Sequence, residues 1–271
     1  MTWLSIVLIG LGVGDLVRSS SWPRARLVAH VTTPFVVAAV AVLTDVDAWL
    51  DVLALLLGVV AAAVWMELSR RTQRTGHGAL AALASFAVLV VGLIGFSGAA
   101  SPPGGPLADW LTWADLPGDT APSPTRLLVL AGLVAFNVAT ANVIVRLVLL
   151  AIGALRPDMV AASTPTFSPT APGQPVDRLK GGRLLGPMER LVILGLGVAG
   201  EFGAAGLVIA AKGLLRFPEI QAAARSASGD PAVTTGSYQG GPAGIDDVTE
   251  YFLVGSFVSW LIALATLALA A

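Results

Sequence analysis

Four ionisable residues interrupt a long apolar stretch of the sequence, residues 182–217. They are Glu189, Arg190, Glu201 and Lys212. An ionised side chain at the centre of a bilayer costs at least about 2.5 kcal/mol, so such residues usually face the interior of a helix bundle and are functional candidates by default. Glu201 lies near the middle of the stretch, and its expected chemistry is the binding of a proton or a cation.

A second polar group lies in the preceding apolar stretch. Asn142 and Arg146 are four residues apart, which places them on one face of a helix. We expect Arg146 to supply the counter-charge of Glu201 and Asn142 to complete a proton or ion site. Three other interpretations stay open: Glu201 is a protonated packing residue, Arg146 pairs with Glu189 instead, or Arg146 extends its charge to the cytoplasmic surface.

Lys212 is expected to reach a membrane surface, because a lysine extends its ammonium group to water along an apolar helix. Arg216 follows one turn later, and Glu250 begins the next apolar stretch. We expect these three residues to form an outer ion-pair cluster in which Lys212 pairs with Glu250. The cluster would act as a gate or as a staple between the last two spans.

The other end of the stretch carries Arg183, Glu189 and Arg190. Pro187 is tolerated in the first turn of a helix, where its missing N–H costs nothing. A glutamate in the first turn is favoured by the helix dipole. We therefore expect these three charged residues to form an inner anchor at the membrane surface.

The sequence offers little for catalysis or metal binding. It has no cysteine and two histidines, His30 and His77. Ser97 lies in a GFSG string like that of rhomboid-type proteases, but such a serine needs a histidine within hydrogen-bond reach. Both histidines are expected on the opposite side of the membrane. We predict no catalytic residue, metal or cofactor, and an intramembrane enzyme that acts on lipid or peptide stays a third possibility.

Membrane-spanning helices must hold these residues. Hydrophobic residues form 55% of the 271-residue chain and charged residues 12%, about half the charged fraction of a soluble domain. We predict an all-α polytopic integral membrane protein with about seven helices, the first one short, because runs of the ~17–25 apolar residues that cross a bilayer recur. The predicted spans are residues 2–14, 27–43, 49–68, 79–97, 126–154, 188–215 and 250–270.

The loops differ in charge. Those after the first, third and fifth predicted spans hold most of the basic residues, and those after the second and fourth hold acidic residues only. The positive-inside rule places the basic loops in the cytoplasm, which predicts an N-terminus outside and a C-terminus inside. The composition, rich in arginine, alanine and glycine, is typical of a GC-rich bacterium, so we expect the cytoplasmic (inner) membrane.

Loop composition divides the chain into three parts. Residues 1–155 are expected to form a five-helix membrane bundle, residues 156–187 a flexible cytoplasmic Pro/Ser/Thr linker, and residues 188–271 a two-helix module. A long extracytoplasmic loop is expected at 218–248. The net charge of −1 argues against a nucleic-acid partner, which leaves the lipid bilayer and a possible membrane or cytoplasmic protein.

The last third of the chain resembles a known family. The strings GRLLGPMER, AAKGLLRF and EYFLVGSFVS are similar to those of the DUF3307 group, bacterial integral-membrane proteins of unknown function. The resemblance implies a membrane module without a defined activity. Glu201 stands where the family pattern has a neutral polar residue. The matching positions are Gly182, Arg183, Gly186, Glu189, Arg190, Ala210, Ala211, Lys212, Arg216, Phe217, Glu250, Tyr251, Leu253, Gly255 and Ser259.

Two functions follow from these patterns as expectations. The first is a non-enzymatic membrane protein that transports or senses a small solute or ion through a polar core in its last three spans. The second is a structural or accessory subunit that docks a partner through Arg70, Arg71 and Arg74 or through the linker.

Overall fold

All regular elements in the described part of the chain are helical, which confirms the all-α prediction. The computed structural model describes residues 1–20, 22–114, 123–155, 182–227 and 245–270. The helices are α1 (Thr2–Arg18), α2 (Ala25–Leu43), α3 (Trp49–Thr75), α4 (Ala79–Gly95), α5 (Gly105–Ala114), α6 (Pro124–Ala135), α7 (Ala141–Ala151), α8 (Gly182–Val198), α9 (Phe202–Ala227) and α10 (Ile245–Ala270). A short 3₁₀ turn, Ser97–Ala99, follows α4, and a π-helical turn, Phe136–Thr140, joins α6 to α7.

Four helical segments are long and apolar enough to cross a membrane. They are α2, α3, the continuous segment Pro124–Ala151 and the part Leu253–Ala270 of α10. Their outer faces carry large apolar side chains: Leu27, Val31 and Phe35 on α2 lie four residues apart and are about 70% exposed. Such a stripe suits contact with lipid, where apolar side chains need no protein cover.

Helix α1 lies at the centre of the bundle and has 17 residues, four more than the span predicted at 2–14. Nearly all its side chains from Thr2 to Asp15 are buried, and it extends to Arg18. Glycines on α1 permit this position, since a Cβ at Gly12 would lie 2.6 Å from the Ala135 backbone of α6. Small residues let membrane helices approach closely. Position inside the bundle, more than length, explains this short apolar helix.

The segment predicted as a single span at 188–215 is a hairpin of two helices. Gly200 adopts a left-handed conformation at φ 83°. The Glu201 N–H donates to the Leu196 carbonyl at 2.8 Å, and the Gly200 N–H donates to Gly197 at 3.0 Å. These two bonds form the Schellman motif that ends many helices. The chain therefore reverses at 199–201, and α9 runs back along α8.

The C-terminal part contains three helices where two were predicted. Ile193 of α8, Ala205 of α9 and Ala263 of α10 form a small buried cluster at their common interface. Residues 182–187 of the predicted linker form the first six residues of α8. The predicted linker residues 156–181 lie outside the described residues. Helix α9 continues to Ala227, so the predicted loop at 218–248 begins as a helix.

The hairpin changes which helix ends lie at the same end of the bundle. Arg126 at the start of α6, Gly200 in the hairpin turn and Ala270 at the end of α10 line one cavity. Seven successive spans would place residues 126 and 270 at opposite ends of the bundle. The extra helix reverses the direction of α10, which brings its C-terminal end to the face where α6 begins.

Candidate functional site

The most buried charged group in the C-terminal half is the guanidinium of Arg190, whose residue is 2% exposed. Its Nη2 donates to the Asn137 carbonyl at 2.7 Å and to Asn142 Oδ1 at 2.6 Å. Its Nη1 donates to Ser259 Oγ at 3.0 Å, and its Nε to the same Asn137 carbonyl at 3.2 Å. We call these four residues the Arg190 core. It joins α6–α7, α8 and α10.

Every hydrogen-bond acceptor of Arg190 in the described part of the chain is neutral. A buried guanidinium is usually balanced by a carboxylate, because an unpaired charge in a low-dielectric interior is costly. Here the guanidinium donates two hydrogen bonds to a backbone carbonyl and two to side-chain oxygens instead. The core therefore keeps one positive charge at the middle of the 28-residue segment Pro124–Ala151, beside Asn137.

The π-helical turn Phe136–Thr140, called here the π segment, presents the Asn137 carbonyl to this cation. A π turn widens the helix by one residue and occurs frequently at functional sites. The Asn137 side chain donates to the Leu133 carbonyl at 2.9 Å and to Thr266 Oγ1 at 3.1 Å. Its Oδ1 is buried and has no hydrogen-bond donor among the described residues. Such an atom usually marks a place for water or a polar guest.

An ion pair lies next to the Arg190 core. Lys212 Nζ on α9 donates to Glu189 Oε2 on α8, and both side chains are largely buried, 14% and 16% exposed. The pair links the two arms of the hairpin about three turns from its tip. The Glu189 carboxylate thus bonds to Lys212 and also attracts the guanidinium of its neighbour Arg190, to which it makes no hydrogen bond.

A second buried charge pair lies on the other side of the π segment. Asp15 Oδ1 and Arg18 Nη2 on α1 are 2.7 Å apart. Trp65 Nε1 donates to Asp15 at 3.4 Å, and Arg18 Nη1 donates to the Met66 carbonyl and to Ser69 Oγ, both at 2.9 Å. We call this group the Asp15 site. It joins α1 to α3.

The π segment touches both polar groups. Thr140 lies against the Asp15 carboxylate, and Asn137 holds Arg190. Three aromatic rings also connect the Asp15 site to the π segment: the ring centroids of Trp65 and Phe86 are 5.0 Å apart, and those of Phe86 and Phe136 are 5.7 Å apart. The π segment is therefore in contact with both the Arg190 core and the Asp15 site.

The three residues of the predicted proton or ion site, Glu201, Arg146 and Asn142, do not come together. Glu201 is exposed in the hairpin turn, not at the middle of a helix. Its neighbours in sequence line a cavity with Arg126, and Arg146 lies 20 residues further along the α6–α7 segment, about 30 Å at 1.5 Å per residue. Asn142 binds Arg190 instead of a site at Glu201.

The structure describes only some side chains of the predicted outer cluster and inner anchor, so the predicted Lys212–Glu250 pair stays a prediction. Lys212 pairs with Glu189, so a residue of the outer cluster and a residue of the inner anchor lie together. Arg190 was predicted at the membrane surface and is buried instead, because α8 begins at Gly182 and places it more than two turns inside the helix. The side chains of Arg183, Arg216 and Glu250 lie outside the described residues.

Ser97 and the two histidines lie apart. His77 precedes α4, Ser97 follows it, and the 17 residues between span about 25 Å. His30 is exposed on the first half of α2, whose far end contacts the loop after α4 through the bond from Gly104 N to Thr44 O at 2.8 Å. Within the described part of the chain, no group of three possible metal ligands comes together.

Sequence reasoning missed the Asp15 site and the role of Arg190. Asp15 and Arg18 are three residues apart at the end of an apolar run, a spacing that brings side chains together on a helix. That spacing was a usable signal for the pair. No local pattern indicated that the Asn137 carbonyl would bind Arg190, because this contact joins residues 53 positions apart.

Comparison with protein-family models, with curated proteins and with solved structures found no match to this chain. The similarity of residues 182–260 to the DUF3307 group stays a prediction.

Proposed function

We propose that the protein transports or senses a small ion or solute in a bacterial inner membrane, and that the Arg190 core is its polar site. The observation that carries this proposal is a buried cation held by neutral oxygens at the middle of a membrane-length segment. Ionisable residues in such positions are commonly part of ion or substrate pathways. In this proposal the ion or solute binds at the Arg190 core and not at Glu201.

The charge of the core favours an anion. The pairs Asp15–Arg18 and Glu189–Lys212 are each neutral in sum, whereas Arg190 has no carboxylate among its hydrogen-bond partners in the described chain. Charge-assisted bonds to an anion are roughly twice as strong as those to a neutral acceptor. A small anion that reaches Arg190 would therefore displace neutral oxygens from the guanidinium. Asn137 Oδ1 would accept a hydrogen bond from the anion's hydroxyl group or from its bound water.

The π segment supplies a way to open the core. Arg190 is 2% exposed, so a guest reaches it only if a helix shifts. Conversion of the π turn to an α turn would move α7 by one residue relative to α6, and with it Asn137 and Asn142. A ligand shifts such an equilibrium only by its difference in affinity for the two forms. The anion would favour the form in which the neutral oxygens have withdrawn.

The topology belongs to the same proposal. The arginine-rich segments after α1 and α3 would lie in the cytoplasm by the positive-inside rule. The hairpin turn, the start of α6 and the end of α10 would then lie outside, since they share one face. Both the start of α1 and the end of α10 would be outside in this arrangement, and the start of α10 would be in the cytoplasm.

A matched pair of serine variants tests the site. Ser259 accepts from Arg190 Nη1, whereas Ser256, one turn away on α10, is equally buried and has no hydrogen-bond partner among the described residues. The protein is reconstituted into liposomes, and currents are recorded on jumps of chloride, nitrate, phosphate and acetate. We expect Ser259→Ala to change the anion response several-fold and Ser256→Ala to leave it as in the wild type. Equal responses of both variants would contradict a role for the core.

A structural or accessory role is the second candidate. It is favoured by the four hydrogen bonds through which Arg190 ties three helices together. The basic patch expected to dock a partner is weaker than the sequence indicated, because Glu67 forms ion pairs with Arg70 and Arg71 at 2.6 and 2.8 Å. Wild-type liposomes without a current for any of the four anions, together with a stoichiometric co-purifying protein, would favour this role.

A further inference from the structure

A cavity of about 210 Å³ lies where three helix ends meet at one membrane face. It is bounded by the start of α6, the turn between α8 and α9 and the last turn of α10. Its walls include Val198, Phe202 and Leu267, and Arg126 is the one charged lining residue among those that the structure describes. The cavity thus combines apolar walls with a single cation at the level where the helices end.

Arg126 is poorly explained by the stability of its own helix. It lies in the first turn of α6, where its backbone N–H donates to the Ser123 cap at 3.2 Å. A cation in the first turn opposes the helix dipole, which favours negative charge there. The side chain is exposed and forms no ion pair with any residue that the structure describes. Guanidinium and helix N-terminus together would bind a phosphate group.

The size and walls of the cavity indicate what the phosphate is attached to. Sites that enclose a whole small molecule usually measure ~300–1,000 Å³, so a cavity of about 210 Å³ holds only part of its ligand. Phe202 is 63% exposed at its edge, which leaves an apolar path toward the surrounding lipid. Glu201 lies between two lining residues but does not itself line the cavity.

We propose that this cavity binds an anionic phospholipid. The phosphodiester is held by Arg126, and the upper part of an acyl chain lies against Phe202 and Leu267. The rest of the lipid stays in the bilayer. This site is separate from the Arg190 core and does not depend on the proposed transport or sensing function.

Native mass spectrometry of the full-length protein tests the site. The protein is delipidated in detergent and then exposed to mixed micelles that contain phosphatidylglycerol or phosphatidylcholine. We expect the wild type to retain one phosphatidylglycerol in preference to phosphatidylcholine. Arg126→Gln should lower this retention at least five-fold, and Ala270→Phe, which fills the cavity without a change of charge, should lower it as well.

Arg26→Gln is the matched control, since Arg26 is also an exposed arginine in the first turn of a helix but does not line this cavity. Its retention of phosphatidylglycerol should equal that of the wild type. Equal losses in Arg26→Gln and Arg126→Gln, or an unchanged Ala270→Phe, would overturn the site. Displacement of the lipid by millimolar inorganic phosphate would assign the cavity to a free anion and overturn the lipid.

Discussion

At the residue scale, the Asp15 site shows how a charge pair is kept inside a membrane bundle. The Asp15 side chain is fully buried, and Arg18 reaches it from one turn away on the same helix. Arg18 also donates to Met66 and Ser69 of α3, so both partners have further hydrogen bonds. A buried ion pair adds little net stability when complete, but loss of one partner is costly because the other charge stays buried.

We therefore expect Asp15→Asn to destabilise the protein by about 3 kcal/mol. Arg18→Met should cost less than this, and the double variant should cost less than the sum of the two. Glu67→Gln is the control, because its pairs with Arg70 and Arg71 lie near the surface and surface pairs contribute about 0–1 kcal/mol. Denaturant unfolding in detergent gives the four free energies. Additive effects of the Asp15 and Arg18 changes would contradict the pair.

At the element scale, the turn between α8 and α9 decides the architecture of the C-terminal part. Its geometry depends on Gly200, the one residue of the hairpin with positive φ in the described chain. A residue with a Cβ pays roughly 1–2 kcal/mol in the left-handed conformation. Glycine at this place ends α8 and lets α9 return.

Gly200→Ala should destabilise the hairpin by about 1 kcal/mol. Gly195→Ala is the matched control, since Gly195 lies inside α8 and an added Cβ there meets no atom within 4 Å. Alanine is the better helix former, so this control should be neutral or stabilising. Thermal unfolding in detergent distinguishes the two variants. A Gly200→Ala protein as stable as the control would contradict the left-handed turn.

The sequence predicted the helices better than their ends. The apolar runs of α2, α3 and α6–α7 were recognised because lipid demands about 20 apolar residues in succession. The turn at 199–201 was not predicted, because Gly200 is one of many glycines in this segment and glycine is common in membrane helices. Asn142 and Arg190 were named from their residue types, but the contact between them depends on tertiary packing that no local pattern encodes.

At the scale of the whole molecule, the hairpin places Glu201 at one end of the helix bundle, so the proposed topology puts it at the outer membrane surface. The chain has no cysteine, so single cysteines report their own exposure to a membrane-impermeant maleimide in oriented vesicles. We expect Glu201→Cys and Trp113→Cys to react from one side and His77→Cys from the other. A Glu201→Cys protein that reacts from neither side would support the single span predicted at 188–215 and contradict the hairpin.

In the proposed function, the response to anions depends on the Arg190 core and not on Glu201. Arg190 is buried at the middle of a membrane-length segment, whereas Glu201 is exposed in a turn. Neutralising Glu201 should therefore leave transport or sensing intact. Arg190→Lys keeps the charge but loses the planar geometry that binds several acceptors at once. This variant should therefore fold, but its response to anions should be weaker than that of the wild type.

The most direct measurement compares anion-evoked currents of Glu201→Gln, Arg190→Lys and Arg190→Gln liposomes with those of the wild type. Each protein is first matched for its elution as a folded species in gel filtration. We predict a wild-type current in Glu201→Gln, a current reduced at least ten-fold in Arg190→Lys and none in Arg190→Gln. A wild-type current in both Arg190 variants, or its loss in Glu201→Gln, would contradict the account.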